Sequence, residues 1–317
     1  MIHNQAVQAA ARLSQYLTKT PLIFSRVLSE LTRKKVYLKL ETQQPTGSFK
    51  VRPAFNGILV HLEEARNKGV LTTSSGNYAQ AVAYAARELG VSAAIVMTDD
   101  TAPFKVARTR ALGGEVIFCG TTFESRFETL DRVRKERGSL VLHGFDSEET
   151  ITGNGTIALE LMEDLPGDFA VFSPASGGGL ISGIAGTLKG VRKGSEVYGF
   201  QSEKGCAIVR SLEKGERVNV GKIVSIADAL IASMPGERTF PLIQKAVDRF
   251  STVSEAEIVA AMRLLFEEQK LVIEAGGAVS VAGLLSGKIQ SQAETTVCVL
   301  SGGNIEINRL HELLGNL

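Results

Sequence analysis

Pro45-Thr46-Gly47-Ser48-Phe49-Lys50 sets a lysine behind a tight turn and beside an aromatic ring, and the glycine-rich Ser176-Gly177-Gly178-Gly179 lies far downstream. That pairing suggests a carbonyl cofactor carrying a phosphate. A lysine amine is a nucleophile at neutral pH only if its pKa, ordinarily ~10.4, is lowered by desolvation or nearby positive charge. Phe49 supplies part of a dry wall. An arbitrary lysine after a turn is a surface residue, so the rest of the chain has to carry the argument.

Outward from this stretch, short apolar runs alternate with amphipathic ones, the pattern of βα units around a mostly parallel sheet. Strands are expected at Val70 to Thr73, Ala93 to Met97, Glu115 to Cys119 and Leu140 to His143. Helices are expected from Tyr78 to Leu89, from an N-cap at Thr101 with Pro103 in the first turn to Gly113-Gly114, and over Phe123 to Arg137. The second half repeats the alternation: strands at Phe169 to Ser173, Val197 to Gln201 and Thr296 to Ser301, helices at Leu180 to Leu188 and Glu255 to Glu268. Tyr37 to Leu40 is a further strand candidate. The expected fold is α/β with two domains, each an open, mostly parallel sheet flanked by helices. Residues 1–67 and 146–317 form the larger unit and 68–145 a smaller inserted one. Ligands in such folds sit at the carboxyl ends of strands, which puts the site in the interdomain cleft.

Ser176-Gly177-Gly178-Gly179 follows a strand and opens a helix, so its backbone N–H groups can close around phosphate oxygens. The spacing fits neither a Gly-x-Gly-x-x-Gly dinucleotide fingerprint nor a P-loop, which excludes the usual nicotinamide reading. Ser74-Ser75-Gly76-Asn77 has the same setting and reads as a carboxylate cradle, although a plain N-cap would account for one of its residues. Ser301-Gly302-Gly303-Asn304 repeats the geometry after the last strand. A hydroxyl there can meet a ring nitrogen, while the plainer reading is a turn with Asn304 as N-cap.

At 317 residues, 44% hydrophobic and 22% charged, the chain can bury the cores of two units. A formal net charge of +1 provides no field for nucleic acid or an anionic membrane, and Arg132 to Arg137 mixes acids in at helical spacing as a solvated face does. The start lacks the regions of a signal peptide and no apolar run approaches ~18 residues, so a cytoplasmic location is expected. Cys119, Cys206 and Cys298 are dispersed, and His311-Glu312 lacks a second histidine, so neither a disulfide framework nor a metal centre is indicated.

Together and in this order, the four loops resemble the pyridoxal-phosphate enzymes of the tryptophan-synthase-β fold type, and within them the threonine/serine dehydratase and serine racemase branch. The resemblance runs from about Thr20-Pro21-Leu22 to Asn304. It implies that Lys50 forms the Schiff base with pyridoxal 5'-phosphate, with Phe49 flanking the ring and Asn77 bonding its hydroxyl. Ser176, Gly177, Gly178, Gly179 and Leu180 would hold the phosphate, and Ser301 would face the pyridine nitrogen. A neutral partner leaves that nitrogen largely unprotonated, which suits elimination over transamination.

The implied reaction is α,β-elimination from L-threonine or L-serine, giving a 2-oxo acid and ammonia. Ser74, Ser75, Gly76 and Asn77 would hold the substrate carboxylate, and Lys50 would remove the α-proton. Ser75 would handle a proton on the opposite face in a racemase, and the same residue occurs in dehydratases. Arg126 matches an arginine that approaches a second carboxylate in racemase relatives. On this charged helix the plainer reading is a surface residue, and if Arg126 reaches the site 3-hydroxyaspartate becomes a substrate. Serine racemase, 3-hydroxyaspartate dehydratase and a non-enzymatic pyridoxal-phosphate binder are the rival readings. A homodimer is implied by resemblance alone.

The chain departs from the family's pattern at Pro53, Tyr78 and Ala229, where Arg-Gly-Ala, histidine and glycine are frequent. These positions bear on substrate choice. Gln201, Gly205 and Ala207 stand where metal-binding relatives carry acidic ligands, with only Glu203 nearby, so no bound divalent cation is expected there.

Overall fold

The computed structural model describes residues 1–315, and for Phe123 and Glu124 the backbone alone. Among the described residues, ten strands form two separate sheets. The first contains β1 (Leu22–Phe24), β2 (Lys35–Leu40), β7 (Ala170–Pro174), β8 (Glu196–Ser202), β9 (Arg249–Val253) and β10 (Thr295–Leu300) in the order β1-β2-β10-β7-β8-β9. Only β1 runs antiparallel to its neighbour. The second contains β3 (Val70–Thr73), β4 (Ala93–Met97), β5 (Glu115–Phe118) and β6 (Leu140–Val141), all parallel, in the order β5-β4-β3-β6.

The central strands are apolar on both faces because helices cover both faces of a parallel sheet. Along β7 and β10 the side chains alternate between two cores: Phe172, Cys298 and Leu300 pack with Phe200, Leu265 and Val281. Val171, Val297 and Val299 face the other way, against Ile157, Ile184 and Phe169. Each large apolar side chain so buried contributes roughly 1.5–3 kcal/mol. A third core joins the small sheet to Val51, Phe55 and Ile58, and the helix Val51–Val60 reaches it through the helix Asn77–Glu88, where Phe55 meets the Tyr84 ring edge-on.

Several helices escape the periodicity reading. Glu148–Asp164 is buried along much of its length, so its residues show no polar face. It packs against Gly179–Leu188 so closely that a Cβ on Gly183 would overlap the Ile151 carbonyl oxygen. Glu255–Gln269 starts where expected, on a capping box made by Ser254 and Glu257. The expected cap at Thr101 is not one. Its helix begins at Pro103 after Ala102, because proline at the first position already tolerates the missing N–H, and the Thr101 hydroxyl turns instead to Ser75.

Candidate active site

Lys50 follows the loop that leaves β2. Its Nζ donates to the Gly144 carbonyl oxygen at 2.8 Å and lies 4.9 Å from the Phe49 ring centre and 5.5 Å from that of Tyr78. Desolvation lowers its pKa to about 8, against a smaller upward pull from Glu274. The lysine is therefore set between two aromatic rings, and Tyr78 supplies one of them.

The turn ahead of Lys50 is laced to the loop after β10. Phe49 N–H donates to the Ser301 carbonyl at 3.0 Å, Gly303 N–H to the Gly47 carbonyl at 2.9 Å, and Asn304 Nδ2 to the Thr46 carbonyl at 2.8 Å. Gly47 has φ +72° and faces the Asn304 amide, so this turn requires glycine on two counts. Asn304 caps no helix, contrary to its plainer reading. Its Nδ2 also donates to Asn77 Oδ1 at 2.7 Å, which draws the small-sheet loop onto the large-sheet one. The Ser301 hydroxyl has no partner among the described residues and is available to a ligand.

Ser176 to Gly179 leads from β7 into Gly179–Leu188. Among the described residues, the backbone N–H groups from Ser176 to Leu180 find no acceptor. The loop is fastened through its other atoms: Ser176 Oγ accepts from Ala232 N–H at 3.1 Å, and the Gly177 carbonyl accepts from Thr239 Oγ1 at 2.7 Å. Cβ atoms on Gly177 and Gly179 would overlap Phe145, and Gly178 has φ +102°. A row of unused N–H groups at a helix N-terminus, carried mainly on glycines with no side chains of their own, fits a phosphate.

Ser74 to Asn77 stands beyond the carboxyl end of β3. The N–H groups of Ser75, Asn77 and Tyr78 find no acceptor among the described residues, and a Cβ on Gly76 would meet nothing within 4 Å. This is a cradle open on one side. Ser75 Oγ accepts from Thr101 Oγ1 at 2.9 Å, leaving its own proton to give. Arg126 is drawn inward, not left on the surface: its Nε donates to Thr73 Oγ1 beside the cradle, and burial lowers its pKa. Among the described residues no carboxylate pairs with it.

Sequence reasoning missed the ionic cluster that seats the Lys50 helix. Arg52 donates to both oxygens of Glu41 at 2.8 Å and to both of Glu160 at 2.6 and 2.9 Å, and Lys39 donates to Glu160 at 2.5 Å. Arg52, Glu41 and Lys39 are almost wholly buried. The signal was present as charged residues in or beside an otherwise apolar strand, Lys39 and Glu41. Pro53 meets the helix Glu148–Asp164 through its backbone. It lies in the first helical turn and abuts Gly153, where a Cβ would come 3.0 Å from the Pro53 Cα. Ala229 sits against Gly276. Gln201 is occupied in capping the helix Ala207–Lys214, its Oε1 accepting from Ile208 N–H at 2.9 Å and Val209 N–H at 3.2 Å. Among the described residues no helix is long and apolar enough to cross a membrane.

The sequence matches the family described as "Pyridoxal-phosphate dependent enzyme" over residues 13–302. An L-threonine ammonia-lyase of Thermotoga maritima is 39% identical over 315 residues, spanning 99% of this chain and 78% of that protein. The structure of maize serine racemase is similar with a TM-score of 0.93 and 33% identity, covering 98% of this chain and 95% of that one. A pyridoxal 5'-phosphate-dependent aspartate racemase is similar with a TM-score of 0.91 and 32% identity, at 97% of each chain.

Proposed function

Since the chain belongs to the pyridoxal-phosphate-dependent enzymes, we propose that it is an ammonia-lyase that converts L-threonine or L-serine to 2-oxobutyrate or pyruvate and ammonia. The observation that carries this reading is the desolvated Lys50 amine, at a pKa of about 8, within a site whose other loops present unused N–H groups. When bound, pyridoxal phosphate supplies an aldehyde that takes up an amine and a ring that withdraws electrons from the carbon bearing it.

The residues divide the remaining work. The N–H groups of Ser176 to Leu180 would hold the phosphate, Phe49 would flank the ring, Asn77 would donate to the ring hydroxyl and Ser301 would offer the ring nitrogen a neutral hydroxyl. Ser74 to Asn77 hold the substrate carboxylate. Lys50 then takes the α-proton at Nζ. With a pKa of about 8, roughly a quarter of such amines are neutral at pH 7.5, against about 0.1% at the ordinary value. Ser75 stands ready to exchange a proton on the other face. We assign residues 1–67 and 146–317 to the large cofactor-binding domain and 68–145 to the small domain carrying the carboxylate loop. A cytoplasmic homodimer is part of the same reading.

A second reading has its own support. Arg126 is an inward-facing cation beside the cradle with no described carboxylate partner, which favours 3-hydroxyaspartate as an additional substrate.

The test combines the near-visible absorbance of the protein with pyridoxal phosphate, 2-oxo acid release from a panel of hydroxy amino acids, and chiral analysis of the recovered substrate. Yellow colour and oxo acid from threonine or serine are expected. Accumulation of D-serine alone would make it a racemase, colour without turnover a binder, and a colourless protein unaltered by the cofactor would remove the proposal.

A further inference from the structure

Glu274 is buried where the loops meet, at the N-cap position of the helix Ala275–Leu285, yet its side chain does not cap that helix. The carboxylate turns away to Asn77, whose Nδ2 donates to Oε1 at 2.6 Å. Asn77 Oδ1 meanwhile accepts from Asn304 at 2.7 Å. These two bonds determine the orientation of the amide. Flipped, its carbonyl would face a carboxylate and its NH2 would face another NH2. In the observed orientation one of the two Nδ2 hydrogens is used by Glu274 and the other is free.

The charged groups around Glu274 come from several elements. Asp228, in the turn Asp228–Leu230, and Lys105, in the helix Pro103–Ala111, pair at 2.5 Å across the two sheets' units. Lys50 also feels the Glu274 charge. Burial first, and Asp228 second, push the Glu274 carboxyl up to about 7, while Asn77, Lys105 and the Asn304 N–H oppose them. A neutral acid accepts the Asn77 hydrogen bond more weakly than a carboxylate, because charge-assisted bonds are roughly twice as strong.

We propose that Glu274 is a positioning residue whose ionised form holds the Asn77 amide with its free N–H turned to the cofactor's ring hydroxyl, and whose protonation loosens that hold. The ring's protonation state near neutral pH then follows Glu274. This rests on the pyridoxal-phosphate reading of the site.

The test is a pH titration of the near-visible absorbance of the cofactor-loaded protein, independent of turnover. Wild type should show a transition centred near pH 7, the value to which Glu274 is raised. E274Q keeps an acceptor but cannot ionise, and should lose the transition. Two substitutions at the partly exposed pair act from a distance and spare the core. D228N removes a charge that raises the Glu274 pKa and should move the midpoint down by at least about 0.3 pH unit, whereas K105M should move it up. Persistence of the wild-type midpoint in E274Q overturns the proposal. If E274Q does not fold, an unmoved midpoint in both D228N and K105M does so. A wild-type protein that takes up no cofactor overturns both this and the functional reading.

Discussion

The amine of Lys50 donates to the carbonyl oxygen of Gly144 at 2.8 Å, so a cation-forming group is held by a neutral acceptor. One hydrogen bond does not repay the lost hydration, and the amine's pKa falls to about 8. Activity and stability are therefore set against each other at this residue.

Between about pH 8 and 10.5 the unfolded lysine is protonated and the folded one is not, so the unfolded state binds more protons and stability rises with pH across that window. Below it the charged amine costs up to about 3 kcal/mol. Lys50→Met should remove this slope and raise apoprotein stability at pH 7 by roughly 1–3 kcal/mol in urea unfolding. The same substitution should lower 2-oxo acid release at least about a thousandfold.

Gly178 and Gly76 should respond differently to alanine. At Gly178 φ is +102° and a Cβ would lie 2.7 Å from Ile243 Cδ1, so Gly178→Ala should cost roughly 1–3 kcal/mol and weaken cofactor binding at least tenfold. A Cβ on Gly76 meets only open space, so Gly76→Ala should leave the melting temperature unchanged while raising KM as the methyl intrudes on the carboxylate. Thermal melts and steady-state kinetics distinguish the two.

Arg126→Ala should change kcat/KM for L-threonine by less than about threefold and lower that for 3-hydroxyaspartate at least about tenfold, the loss expected when a charged partner is removed. Equal losses on both substrates would mean that Arg126 acts only through its bond to Thr73.

Arg52→Leu leaves Glu41 and Glu160 facing each other without their shared cation, and should cost about 3–5 kcal/mol. Arg52→Lys should not restore stability, since an ammonium cannot make bidentate bonds to two carboxylates. Chemical unfolding of the three proteins checks both statements.

The candidate site was legible wherever its signal was local. A strand, a run of small residues and a helix in succession mark Ser176 to Gly179, and the same succession marks Ser74 to Asn77, because period and turn chemistry are written in neighbouring residues. Arg126, Asn304 and Glu274 were not legible in this way. Arg126 lies on a charged helix, and its inward turn is visible only once its bond to Thr73 is seen. Asn304 looks like a cap until Asn77 and Thr46 are seen beside it. Glu274 is one acidic residue among many until burial raises its pKa.

The sequence by itself determined which chemical groups are present, the order of the four loops and the alternation of strands with helices, since each follows from residue type and short-range period. Only the tertiary structure decided which groups meet. The order β2-β10-β7 sets the loops carrying Lys50, Ser301 and Ser176 side by side, although β10 is the last strand in the chain. The contacts Asn77–Glu274 and Asn77–Asn304 then bring the small sheet's loop to them. Charge states belong to that second category as well: the pKa values of Lys50 and Glu274 depend on how much water and which charges surround them, and that is a property of packing.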